Sequence, residues 1–202
     1  HPGSRAAGVH NSPISFAVPG PEDRGPLVLD MATSIAAFGK VMVAGDKGES
    51  IPDTWALDEH GDPTTDPAAA RTLRPAGEYK GYGLALLFEC FTGLMAANPL
   101  VSPNILSDKT GPAQPGAQNS FLCAVDVTMF GDLVDYRQEV EDLSRAEKSL
   151  PRQDGVEEIF VPGDPELRTL QERTRDGVPM PPGTWAKIEV AATRFGLELP
   201  RQ

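Results

Sequence analysis

Leu29-Asp30-Met31-Ala32-Thr33-Ser34 opens the part of the chain whose reading decides the fold. From there the chain passes through Ile51-Pro52-Asp53-Thr54-Trp55-Ala56-Leu57-Asp58 and Gly61-Asp62-Pro63-Thr64-Thr65-Asp66-Pro67. It ends in Glu78-Tyr79-Lys80-Gly81-Tyr82-Gly83, at the head of an apolar helix. Polar clusters that punctuate apolar segments in this way mark a site more often than a core. A short strand, Leu27-Val28-Leu29, leads into Asp30, and a carboxylate beside Thr33 and Ser34 suits either a helix cap or a ligand. Lys80 precedes a glycine-flanked helix start. A cation beside free backbone N–H groups is a candidate anion site, with a solvated surface lysine as the plain alternative.

Outward from this stretch, the periodicity predicts a helix over 35–44 and a central buried helix over 81–97. A strand is expected over 14–18 and another, covered on both faces, over 121–127. An amphipathic helix follows over 133–150, then a strand-like piece at 159–161. Gly163-Asp164-Pro165 begins a helix with Asp164 as N-cap and Pro165 at the first helical position, ending at Gly177. Thr184 is expected to cap a last helix that stops at Gly196. The segment 102–119, with three prolines and two glycines, is expected to be a long loop. Trp55 is expected as a core or lid anchor, and Asp58 and Asp66 as turn formers. The reading is a mixed α/β fold, divided into 1–120 and 121–202.

The chain has 202 residues, 40% of them apolar, which suffices for a substantial core. A net charge of −11 argues against wrapping nucleic acid or an anionic membrane surface. The apolar stretch 82–101 is interrupted by Glu89 and Asn98, so a buried helix is expected there, with no membrane span. Cys90 and Cys123 lie in apolar runs and are expected to be buried, reduced thiols. His1, His10 and His60 lack metal-ligand spacing, so no metal site is expected. The GxSxG, Walker and GxGxxG fingerprints are absent. The beginning, His1-Pro2-Gly3-Ser4-Arg5, reads as a loop, and the expectation is that the chain starts inside a larger protein.

Taken together, 11–19 (Asn-Ser-Pro-Ile-Ser-Phe-Ala-Val-Pro), 29–34, 51–58, 63–67 and 79–85 (Tyr-Lys-Gly-Tyr-Gly-Leu-Ala) resemble the malate/L-lactate dehydrogenase family of the second, non-Rossmann type. Val161-Pro162-Gly163, Gly177-Val178 and Trp185-Ala186-Lys187-Ile188 extend the resemblance over nearly the whole chain. It implies an NAD- or NADP-dependent oxidoreductase acting on a small 2-oxo or 2-hydroxy acid or a cyclic 2-imino acid, usually as a homodimer, while the reduced thiols read from the cysteines fit a cytoplasmic location. It implies cofactor contacts from Pro26, Leu27, Val28, Leu29, Asp30, Met31 and Ala32, from Tyr79 and Lys80, and from Gly163, Asp164 and Pro165. Asp30 resembles an acidic residue that assists proton transfer. The family's N-terminal Ser-His-Gly motif, which carries its acid/base histidine, has no counterpart here. A portion of such an enzyme, with the remainder on a companion chain or cleaved, is the first expectation. An inactive nucleotide- or partner-binding paralogue is the alternative, and a different enzyme on the same scaffold a third.

Overall fold

Ile14–Val18 and Leu27–Met31 form an antiparallel pair, β1 and β2, with Ile14 opposite Met31 and Val18 opposite Leu27. Ile14, Phe16 and Val18 of β1 and Val28 of β2 are β-branched or aromatic and favour the extended backbone. Pro19, Pro21 and Pro26 in the connection cannot extend the ladder, so the strands stop there. The computed structural model describes residues 2–5, 7–22, 24–97 and 119–199. The described residues form a mixed α/β fold with five α-helices and two small sheets.

The chain divides into two compact units, each assembled from separated stretches. The first comprises His1–Ser12, Ala32–Phe121 and Pro179–Gln202; the second comprises Pro13–Met31 and Leu122–Val178. The β1–β2 pair belongs to the second unit and the last helix to the first.

In the first unit, helix α1 (Phe38–Lys47) begins three residues later than the periodicity predicts and ends on left-handed Gly48. Its inner residues Val41 and Ala44 join Ile51, Ala56 and Ala70 in the core, with Trp55 and Leu73 packed against it. Trp55 is therefore a core anchor. The short strands β3 (Ala56–Leu57) and β4 (Thr72–Leu73) pair antiparallel within this core. Asp58 is a turn former: its Oδ1 accepts the amides of His60 and Asp62 at 2.8 and 2.9 Å. Asp66 likewise accepts the amide of Ala68 at 2.8 Å.

Helix α2 (Tyr79–Glu89) continues as a π-helical segment, Cys90–Leu94. It is not the fully buried helix expected from its composition. It packs by one narrow stripe, with Gly81, Ala85, Glu89 and Gly93 buried at four-residue intervals. Small residues there let the backbone approach its neighbours closely, and Leu84, Leu87, Phe91 and Met95 stay exposed. The last helix of this unit, α5 (Pro182–Phe195), packs on α1 and ends on left-handed Gly196. Thr184 lies inside its first turn and does not cap it. Its hydroxyl donates to Asp46 Oδ2 at 2.9 Å, and Lys187 Nζ reaches Asp46 Oδ1 at 2.5 Å.

The second unit holds β1, β2 and the helices α3 (Leu133–Lys148) and α4 (Asp164–Asp176). Asp132 caps α3 by accepting the amides of Val134 and Asp135. The strands expected at 121–127 and 159–161 are absent. Residues 121–126 run exposed and without a ladder partner before a 3₁₀ turn, Val127–Met129. β-Propensity is realised only where a neighbouring strand accepts the ladder, and none lies beside either segment in the described residues. Cys90 and Cys123 are both free and exposed, contrary to the burial their apolar neighbours suggested. The expected loop over 102–119 lies, except for Asn119, outside the described residues. Among the described residues no helix is long and apolar enough to cross a membrane.

Candidate functional site

Two of the three segments singled out from the sequence meet within the second unit. Gly163 lies against the backbone of β2. A Cβ built on it would stand 3.4 Å from the Val28 carbonyl oxygen and 3.7 Å from its nitrogen. Its φ of 92° is left-handed backbone that favours glycine, and it serves as the N-cap of α4. The cap is thus Gly163, and Asp164 is the first helical residue, with Pro165 in the first turn behind it. A side chain at 163 would be strained at this dihedral, and its Cβ would touch the Val28 backbone at van der Waals distance.

Asp164 gathers the charges around this junction. Its Oδ2 accepts the Val161 amide at 3.0 Å and Lys148 Nζ at 2.7 Å, and Arg24 approaches its Oδ1 at 3.4 Å. Arg24 also pairs with Glu141 at 2.8 Å. Burial pushes the Asp164 carboxyl up, but the hydrogen bonds from Lys148 and Val161 and the charges of Lys148 and Arg24 outweigh it. The net effect holds Asp164 below the ordinary carboxylate range. Its negative charge is therefore compensated from two sides.

Asp30 is the fourth residue of β2, opposite Ser15, and is exposed. It caps no helix: α1 starts eight residues on, with Ala37 at its N-cap position. Among the described residues its carboxylate has no hydrogen-bond or ion-pair partner. Pro26 is exposed, while Leu27, Val28 and Leu29 are half-buried.

Ala32, Tyr79 and Lys80 belong to the first unit. Glu78, immediately before α2, adopts φ 55° and ψ −110°, and its carboxylate takes Arg74 Nη2 at 2.6 Å. Strain of this kind in a non-glycine residue is held only where the surroundings fix it. The preceding turn consumes the amides that an anion would need. The N–H groups of Lys80, Gly81 and Tyr82 donate to the carbonyls of Gly77, Ala76 and Glu78. The anion site read from the sequence is thus narrowed to side chains. Lys80 is exposed and, among the described residues, unpaired; Tyr79 is 70% exposed.

The sequence reading passed over a second cluster in the first unit. Glu89 is buried, its side chain 7% exposed, and pairs with His10. His10 donates its main-chain N–H to Glu89 Oε1 at 2.9 Å, and its ring Nδ1 lies 2.5 Å from the same oxygen. The signal was available: a glutamate inside an apolar helix must find a partner, because an unpaired buried charge is costly.

A family model of malate/L-lactate dehydrogenase matches residues 1–189. The chain belongs to the malate/L-lactate dehydrogenase family. The malate/(S)-sulfolactate dehydrogenase of Methanothermus fervidus is 29% identical over 202 residues, covering 98% of this chain and 56% of that protein. The NAD(+) ureidoglycolate dehydrogenase of Escherichia coli is 33% identical over 168 residues, covering 83% of this chain and 47% of that protein. Among solved structures, the sulfolactate dehydrogenase of Methanocaldococcus jannaschii superposes with a TM-score of 0.65 at 29% identity, covering 93% of this chain and 53% of that one. The chain spans about half the length of the curated relatives it matches.

Proposed function

We propose that this malate/L-lactate dehydrogenase family chain carries the nicotinamide-holding part of an NAD(P)-dependent oxidoreductase. The reaction moves a hydride to or from the C2 carbon of a small 2-oxo or 2-hydroxy acid, or of a cyclic 2-imino acid. The observation that carries this reading is the close approach of Gly163 to Val28. It brings Pro26 to Met31 and Gly163 to Pro165, the two segments that the resemblance assigns to the cofactor, together in the second unit. The compensated charge of Asp164 removes the repulsion that a bare carboxylate would offer a pyrophosphate.

When bound, the nicotinamide ring supplies or accepts the hydride. This chain's residues hold and polarise. Lys80, exposed and unpaired among the described residues, offers a point charge for a phosphate, with Tyr79 beside it. Asp30, also without a partner among the described residues, takes the role of a polar or proton-relaying group near the substrate. The protein acts as a homodimer, and free Cys90 and Cys123 suit a reducing, cytoplasmic setting.

Titration of the protein with NADH and NADPH, followed by nucleotide fluorescence, tests this. One of the two should saturate. Lys80→Ala should weaken that binding by about 1.5–3 kcal/mol, the worth of one charged hydrogen bond. Failure of both nucleotides to bind would remove the reading, and unchanged affinity in the variant would remove Lys80 from it.

A further inference from the structure

A cavity of about 510 Å³ lies in the first unit. His10, Asn11 and Arg71 contribute its polar wall, and Phe38, Leu73 and Ala85 its apolar one. This volume is in the range of small-molecule sites, and so is the combination of an apolar wall with a few polar groups.

The polar groups are held in place. Glu89 is buried and spends one oxygen on two bonds to His10, so the imidazole is fixed by its Nδ1 side. The Nε2 side has no partner among the described residues. Arg71, an exposed residue, donates Nη1 to the carbonyls of Ala68 and Ala70 at 2.9 and 3.0 Å, which restrains one side of the guanidinium and leaves Nη2 and Nε for a ligand. Arg71 forms no ion pair with any described carboxylate. Asn11 gives its Oδ1 to the Ser34 amide at 3.1 Å. Helix α2 passes into its π-helical segment directly after Glu89. Segments of this type recur at functional positions.

The geometry points to a binding site for a small monocarboxylate with an apolar body, its carboxylate on Arg71 and His10 and its body against Phe38, Leu73 and Ala85. A cation with no counter-charge among the described residues, on the wall of the same cavity as an anchored imidazole, can recognise one anionic group. Glu89 disfavours a second anionic group next to it. The site uses none of Asp30, Tyr79, Lys80 or the Gly163 segment. Binding measured without nicotinamide nucleotide is therefore decided apart from the cofactor reading.

The test uses the full chain and 4-fluorobenzoate, followed by ¹⁹F NMR and by the ¹H–¹⁵N correlations of the histidine rings. The expected result is saturable binding with a Kd at or below about 1 mM, and a shift of the His10 ring signals while those of His60 hold. Arg71→Gln should weaken binding at least about tenfold. The neutral isostere 4-fluorobenzamide, which needs no protein variant, should bind the wild type at least about tenfold more weakly. No saturation, an unmoved His10 ring, or equal affinity for acid and amide would each overturn the proposal.

Discussion

Asp46 shows how one carboxylate can tie two helices together. It sits near the end of α1 and receives Lys187 and Thr184 from α5. Lys187's hydrogen bond, and then Thr184's, hold its carboxyl below the ordinary range, against an opposing push from burial. A group whose pKa is depressed on folding stabilises the protein above its unfolded value of about 3.9, and that contribution is lost as pH falls through the folded value. Asp46→Asn should therefore lower the urea midpoint at neutral pH, and the gap to wild type should close below about pH 4. A gap of equal size at both pH values would show that the carboxylate's charge is not what joins α1 to α5. Lys80 belongs to the same scale. Its proposed role rests on a charge that is unpaired among the described residues, so the loss expected from Lys80→Ala is confined to nucleotide affinity and should leave the unfolding midpoint in place.

At the scale of elements, helix α2 is seated by what its residues lack. A Cβ on Gly81 would stand 2.4 Å from the Thr33 carbonyl oxygen and 2.6 Å from that of Ala76. Those are backbone atoms, so they cannot swing aside. Gly81→Ala should cost about 1–3 kcal/mol, the usual penalty of overpacking, read as a lowered urea midpoint. An unchanged midpoint would mean that the first turn of α2 is not held against Thr33 and Ala76. Gly83→Ala is the internal control, because open space surrounds that position and the helix gains a better former. The two glycines lie two residues apart in sequence, but only Gly81 faces the packed side.

At the scale of the whole molecule, the outer face of α2 and its π-helical extension is apolar and, apart from the contact of Phe91 with Phe121, largely uncovered among the described residues. Leu84, Leu87, Phe91, Leu94 and Met95 recur at helical spacing and are 39 to 67% exposed. A contiguous apolar stripe of this kind binds another surface or aggregates. The purified chain should associate in a concentration-dependent way by light scattering and should bind a hydrophobic dye. Leu87→Glu with Phe91→Glu should reduce both. A monomer that binds no dye would show that this stripe is tolerated in water.

The sequence by itself determined the family, the mixed α/β class, the turn-forming roles of Asp58 and Asp66, and the glycine stops at Gly177 and Gly196. These depend on local chemistry: side-chain acceptors two residues from an amide, or left-handed backbone that only glycine takes cheaply. Tertiary structure decided what depends on a neighbour. Residues 121–126 have strand propensity and no strand partner. Cys90 and Cys123 have apolar neighbours in sequence and exposed places in space. Asp164 reads as a cap but is the hub for Lys148 and Arg24, because the left-handed Gly163 takes the cap position one residue earlier. Lys80 stays exposed, but the preceding turn takes the amides that sequence alone left free. The pairing of Glu89 with His10, 79 residues apart, is a property of the packed chain. A linear pattern shows that a buried carboxylate needs a partner, and only folding chooses which one.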